Sequence, residues 1–368
     1  MHKAPASRLW FLFVLIAIVP RAYGFPETIR EGYFNCGACH KSVNGGGLLT
    51  QYGRELSEDF MSTWSKEGEG AFLNGAIDLP KSLQVGGDVR FLSLLQDNGI
   101  TKTQSGFPMQ AELELGYQVL EKLEVVAATG VFSGEADIRR AYLKYRVDDH
   151  WGLRAGKFYP GFGIQSPDHS LLSRKLLGFD ERQENFNAEL SYAGQAFQAV
   201  AGVMLGGEGE GGQVREKGFN LKASILTMKT WSFGLSYLQG KGAVWDREAV
   251  GPYALIGITP RASLLSEIYF QNKKAIESDD PSTPNHRELI SSTRLGFDFW
   301  KGFQVFEIFE SADNLKGDYT PRQRAYGAGI QWIPRPHYEL YGKLVKRIDE
   351  AFSKDQGYQG MLVSHYWF

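Results

Sequence analysis

The chain is predicted to be mainly β: a transmembrane, antiparallel up-and-down β-barrel of about 16 strands, or about 14 if the region 301–312 is not a strand, with a small N-terminal segment of loops and helix ahead of it. Three observations carry this expectation. From about Leu83 onward, apolar and polar residues alternate with period two over stretches of nine residues or more, the length a strand needs to cross a bilayer at a tilt. Very short links alternate with longer polar ones, as in barrels that turn tightly at one end and loop out at the other. The chain also opens on an export signal and closes on Tyr366, Trp367 and Phe368.

Residues 1–24 read as a secretory signal peptide. Lys3 and Arg8 precede an apolar run over 9–19, followed by Pro20 and the small-residue end at Ala22, Tyr23 and Gly24. The run is too short for a membrane helix, and no later stretch approaches the ~20 apolar residues one requires. Composition agrees: 43 glycines, 24 phenylalanines and 17 tyrosines fit a large helical enzyme poorly. Without the signal the net charge is about −5, and no basic block points to nucleic acid.

Residues 25–80 form a separate N-terminal segment. Cys36, Gly37, Ala38, Cys39 and His40 spell C-x-x-C-H, the attachment spacing of a c-type haem. Two thiols one short turn apart can add to the two vinyl groups of one porphyrin, which places the adjoining imidazole under the iron. A disulfide, half a zinc site and a thioredoxin-like pair are the other uses of such a spacing. Zinc would want further Cys or His close by, yet the chain has only these 2 cysteines and its next histidine is His150. A thioredoxin-like pair would want a βαβ context, which the glycine-rich stretch after His40 does not offer. The motif resembles that of c-type cytochromes. The resemblance implies one covalent haem c, with Cys36 and Cys39 as thioether anchors and His40 as the proximal iron ligand.

After the motif, Asn44, Gly45, Gly46 and Gly47 make a turn that lets backbone approach a flat cofactor closely. Leu49, Tyr52, Leu56, Phe60 and Trp64 then recur at helical spacing. This stripe is expected to lie either against the porphyrin or against the barrel wall and its own loop. Met61, beside the stripe, is the candidate distal ligand, since a thioether opposite an imidazole raises the potential of a cytochrome c. His150, His169, His286, His337 and His365 are expected to be loop, turn or wall residues.

The barrel is expected to occupy 81–368. Met109, Ala111, Leu113, Leu115, Tyr117 and Val119 alternate with Gln110, Glu112, Glu114, Gly116 and Gln118. Similar series pair Ala141, Leu143, Tyr145 and Val147 with Arg140, Tyr142, Lys144 and Arg146. Leu289, Leu295, Phe297 and Phe299 likewise alternate with Arg294 and Asp298, and Tyr338, Leu340 and Leu344 with Glu339, Lys343 and Arg347. Short links fall at 120–121, 148–150, 194–195, 228–230, 260–261, 301–302 and 334–335. Only 301–312 breaks the alternation, with Phe306, Ile308 and Phe309 among Glu307 and Glu310. An even strand count leaves both chain ends on one side, and the terminal Phe368 with Tyr366 and Leu362 resembles the assembly signal of outer-membrane barrels.

The longest internal connection starts at 160–169 and carries Arg174, Lys175, Asp180, Glu181 and Arg182. It stands where the third outer loop of general porins folds inward, so it is expected to be an eyelet, a contact to a luminal haem, or a surface loop. Asp168 beside His169 lacks a third member for catalysis. The stretches 206–212 and 277–285 read as outer loops, and luminal charges of both signs argue against strong ion selectivity.

As a whole the chain resembles a porin-like outer-membrane protein carrying one haem c at its amino end. That resemblance implies electron transfer at the bacterial outer membrane, with the haem segment on the periplasmic side or in the lumen and periplasmic or outer-membrane cytochromes as partners. The alternative is a diffusion channel in which the segment serves as plug, gate or redox sensor. No catalytic residue is assigned; a peroxidase-like haem enzyme would require an open sixth position.

Overall fold

The computed structural model describes residues 25–97, 101–132, 135–168, 170–179, 183–208, 214–243, 245–276, 286–316, 322–349 and 357–368. The signal peptide, His169 and the loop stretches 180–182, 209–213 and 277–285 lie outside them. Sixteen strands, numbered in chain order from β1 (Leu83–Asp97) to β16 (Tyr358–Trp367), form one closed antiparallel barrel. Each strand pairs with its sequence neighbours, and β1 closes on β16 from Asp88 opposite Trp367 to Asp97 opposite Tyr358. Phe368 completes the seam, its backbone exchanging both hydrogen bonds with Gly87 at 3.1 Å. Closure leaves no sheet edge, the condition a β-structure must meet to sit in hydrocarbon.

Alternation sets which face meets what. Along β2 (Lys102–Leu120), Leu113, Leu115, Tyr117 and Val119 stand on the outside, whereas Gln110, Glu112 and Glu114 are buried within. The region 301–312 resolves the choice between fourteen and sixteen strands, because it is a full strand, β13 (Phe303–Lys316). Its period of two is intact: Gln304, Phe306, Ile308, Glu310 and Ala312 are buried inside, while Glu307 and Phe309 face out. Phe306 and Ile308 read as a break because this part of the lumen is dry. The last short link also shifts, to Pro336 and His337 between β14 (Gln323–Arg335) and β15 (Tyr338–Asp349).

What dries the lumen is the connection between β5 (Trp151–Phe158) and β6 (Asn185–Ala193). It turns inward, as the eyelet expectation has it, and carries the short helix α3 (Leu172–Leu176). Leu171 and Leu172 pack with Ile308, Ala325 and Val345 of the wall. Phe162 stacks on Phe179 at 5.1 Å and meets Tyr269 at 4.8 Å. Asp168, set aside as a catalytic residue, takes Lys343 at 2.5 Å and the Tyr341 hydroxyl at 2.9 Å, so it is an anchor.

The N-terminal segment enters the barrel from the opposite side, the end with the short turns. Its first turn, Pro26–Glu31, lies on β10 (Trp245–Thr259) and β11 (Ala262–Ala275), with Ile29 fully buried. At Gly257 a Cβ would stand 2.3 Å from Arg30 Cα, so only glycine lets the turn lie on the strand backbone. Leu48 penetrates further, packing with Val126, Tyr142 and Phe158. Gly86 and Gly116 make room for it: a Cβ at either would come within 2.7 Å of a Leu48 methyl. Burying that side chain contributes about 2 kcal/mol.

Candidate functional site

The site is built on α1 (Cys36–Cys39), a single turn capped by Asn35, whose Oδ1 accepts from Gly37 N–H at 2.9 Å. The turn brings Cys36 and Cys39 to one side and ends at His40, whose backbone is extended and whose N–H donates to Cys36 O at 3.0 Å. His40 then pairs as a short bridge with Leu49. Between them Gly45, Gly46 and Gly47 all have positive φ, +86°, +72° and +67°, a run that side chains would strain. The curl returns the Gly47 carbonyl to within 3.2 Å of His40 Nδ1. A proton held on Nδ1 by that carbonyl leaves the lone pair on Nε2, the arrangement typical of a metal-binding imidazole.

The two cysteines are not joined by a disulfide. Burial pushes both thiols up, Cys39 to about 12, so they are neutral at physiological pH rather than thiolate. Among the described residues no group of three or more His, Cys, Asp or Glu is placed to hold a metal ion, which leaves the zinc alternative without ligands.

The predicted helical stripe is only partly realised. The α-helix α2 (Gln51–Leu56) is capped by Thr50, whose Oγ1 accepts from Gly53 N–H at 3.0 Å, and it stops after six residues. It continues as a wider π-turn, Ser57–Met61, which adds about one residue to the turn and rotates the register. Leu56 and Phe60 pack on Cys39 as the stripe requires, but Tyr52 and Trp64 are exposed. The same rotation buries Met61, which is 5% exposed. Helix and motif are in close contact: a Cβ at Gly53 would stand 2.3 Å from the Cys39 carbonyl.

His40 and Met61 line one cavity, together with Leu49 of the segment and Trp367 and Phe368 of the closing strand. Its far side is the charged barrel wall: Asp88 and Arg90 of β1, Glu112 and Glu114 of β2, and Arg139 and Arg140 of β4 (Glu135–Arg146). The wall charges are paired. Arg90 makes two hydrogen bonds to Asp88 at 2.9 and 2.8 Å, Arg139 meets Glu184 at 2.7 Å, and Arg140 bonds both Glu112 and Glu114. His365 also reaches the cavity, with Nδ1 at 2.8 Å from Glu339 and Nε2 at 3.2 Å from Asp88. The sequence marks it only as a loop, turn or wall residue and does not show that it shares a cavity with His40; the inward phase of β16 is the available signal. His150 and His337 lie in turns and His286 at a strand start, as expected.

The segment is held by polar contacts along its length. Glu27 pairs with Arg294 at 2.6 Å, Arg30 with Asp298 at 2.5 Å and Lys41 with Glu124 at 2.6 Å. Deeper in, Asn44 donates to Glu189 at 2.9 Å and Arg154 to Ser42 Oγ at 2.9 Å. Arg54 donates to the Val85 carbonyl. The segment that carries the motif is therefore packed against the inner face of the barrel through these contacts.

No family pattern and no curated protein sequence matches the chain. Solved structures do match in fold. In vitro folded OmpT, an outer membrane protein of Vibrio cholerae, superposes with a TM-score of 0.61 at 11% identity, covering 78% of this chain and 97% of that one. The anion-selective porin of Comamonas acidovorans gives 0.60 at 12% identity over 78% and 99%. The outer membrane channel DcaP of Acinetobacter baumannii gives 0.58 at 13% identity over 78% and 97%. At such identities the likeness establishes the barrel fold, the class shared by outer-membrane porins and channels.

Proposed function

We propose that this is an outer-membrane barrel whose lumen holds a haem c on its N-terminal plug, and that it transfers electrons through that haem. The observation that carries the reading is that His40 and Met61 line one cavity. Cys36 and Cys39 would each add S–H across a vinyl group, a step in which the neutral thiols already carry the proton required. His40 would ligate through Nε2 while Gly47 O orients its ring, and Met61 would offer its thioether as a second ligand. The haem, when bound, supplies reversible one-electron chemistry. Trp367, Phe368 and Leu49 would give it apolar contacts, and covalent attachment would keep it in the lumen. Electron donors and acceptors would be cytochromes or other carriers reaching the short-turn end. A low-spin spectrum with a methionine-to-iron band in the purified protein, lost in Met61→Ala, is the expected result. A five-coordinate spectrum that binds peroxide would instead indicate an enzyme.

A second reading rests on the ion pairs around Glu27, Arg30 and Lys41: the segment is a plug that closes a porin-like channel. Conductance that changes with the redox state of the haem would join the two readings.

A further inference from the structure

Among the described residues that line the His40 cavity, one cation is unlike the others. Arg90, Arg139 and Arg140 each meet a carboxylate, but Arg174 of α3, 6% exposed and lining the same cavity, bonds only two neutral carbonyls, Ser166 O at 2.8 Å and Phe179 O at 2.7 Å. Its Nε is buried without a hydrogen-bond partner among the described residues. The Glu267 carboxylate acts on Arg174 at longer range, but it accepts from Ile164 N–H and the Tyr269 hydroxyl, and no described carboxylate lies at ion-pair distance from Arg174. An anion in the cavity would offset the cost of taking the guanidinium out of water. The carboxylates on the same lining, Asp88, Glu112 and Glu114, are already paired with Arg90 and Arg140.

We infer that Arg174 receives a carboxylate of the group held by Cys36, Cys39 and His40, namely a haem propionate, so that the inward loop and not the plug alone fixes the haem. The inference rests on the haem reading above. Geometry favours it over a passing solute: His40 of the motif and Arg174 line the same cavity, and a c-type haem anchored by its vinyl edge presents its two carboxylates at the edge away from the cysteines. Arg guanidinium is suited to carboxylate through paired N–H donors. Arg174 is thus a positioning residue for the cofactor, which would place the haem within the barrel rather than below it.

The test compares the full-length wild-type protein, Arg174→Gln and Arg174→Lys, each purified in detergent with haem attachment verified by mass. Reduction potential is then followed against pH by spectroelectrochemistry, with and without added acetate. The inference predicts that Arg174→Gln keeps its haem but has a lower potential that falls further as pH rises, because an unpaired propionate now titrates in the range scanned. Arg174→Lys restores most of the wild-type potential, and acetate changes neither profile. The propionate bands in the resonance Raman spectrum should shift in Arg174→Gln, a readout independent of folding yield. Haem-loaded Arg174→Gln with wild-type potential, pH profile and Raman bands would overturn the inference while leaving the haem reading intact. A wild-type potential displaced by acetate would show that Arg174 serves free carboxylates instead, and would overturn it too. Absence of haem in the wild-type protein would overturn both.

Discussion

The Glu27 carboxylate lies 2.6 Å from the Arg294 guanidinium, joining the first turn of the N-terminal segment to the inner face of β12 (His286–Trp300). Both side chains are well buried, and Arg294 also lies 4.1 Å over the Phe306 ring. The pair fixes where the segment enters the lumen, and the contacts of Ser42 and Asn44 fix how far it reaches.

Arg294→Ala leaves Glu27 buried without its cation. Breaking such a pair costs about 3–5 kcal/mol where both partners are buried. Amide exchange over 26–31 should accelerate, and channel openings in planar bilayers should become more frequent. Unchanged exchange and conductance would show that this contact does not hold the plug.

Gly53→Ala drives a methyl group into the Cys39 carbonyl, where a Cβ would stand at 2.3 Å. Overpacking of this kind costs about 1–3 kcal/mol. Helix α2 should move off the motif, lowering the yield of haem-loaded protein while the barrel still folds. The ratio of haem absorbance to protein in the folded fraction measures it.

His337 couples the plug to pH. It sits in the turn between β14 and β15, buried, with its N–H on Ser57 Oγ at 2.9 Å and Nε2 3.1 Å from Gly70 O. Burial, with help from the Arg54 charge, lowers its pKa to about 4 against the opposing effect of the Gly70 carbonyl. The unfolded imidazole titrates near 6.5, so between about pH 6.5 and about 4 the unfolded form binds the extra proton. The stabilisation is complete above that window and about 3 kcal/mol is lost on falling through it. Amide exchange over 57–70 should therefore speed up between pH 7 and pH 4.5. In His337→Asn, a residue that accepts the local φ of +64°, this acid sensitivity should disappear.

Asp168→Asn removes the charge partner of Lys343, 2.5 Å away and equally buried. The inward loop should loosen, by about 3 kcal/mol or more. Protease cleavage within 160–184 should rise several-fold in detergent-solubilised protein. A loop as resistant as the wild type would mean that the packing of Phe162, Leu171 and Leu172 suffices.

The barrel was legible in the sequence because period two is local: each strand announces its own inner and outer face. Strand β13 was not, since Ile308 packs on a loop more than a hundred residues away in the chain and Phe306 on Leu92, Tyr341 and Val363 of other strands. The C-x-x-C-H pattern was visible because Cys36, Cys39 and His40 are neighbours in the chain, and the haem it implies is the proposal made above. The rest of the site was not. Arg140, His365 and Arg174 reach the cavity from β4, β16 and the inward loop, and only barrel closure brings them together. Met61 was within reach of sequence reasoning, but its burial depends on the π-turn, which no residue pattern announces.

The most direct measurement is covalent haem in outer membranes prepared from cells that mature c-type cytochromes, with the wild-type chain compared with Cys36→Ser/Cys39→Ser. A haem-stained band at the mass of the mature chain, one haem per polypeptide, which is absent from the double variant while its barrel still assembles, is the predicted result. A wild-type barrel that assembles in the same membranes without bound haem would contradict it.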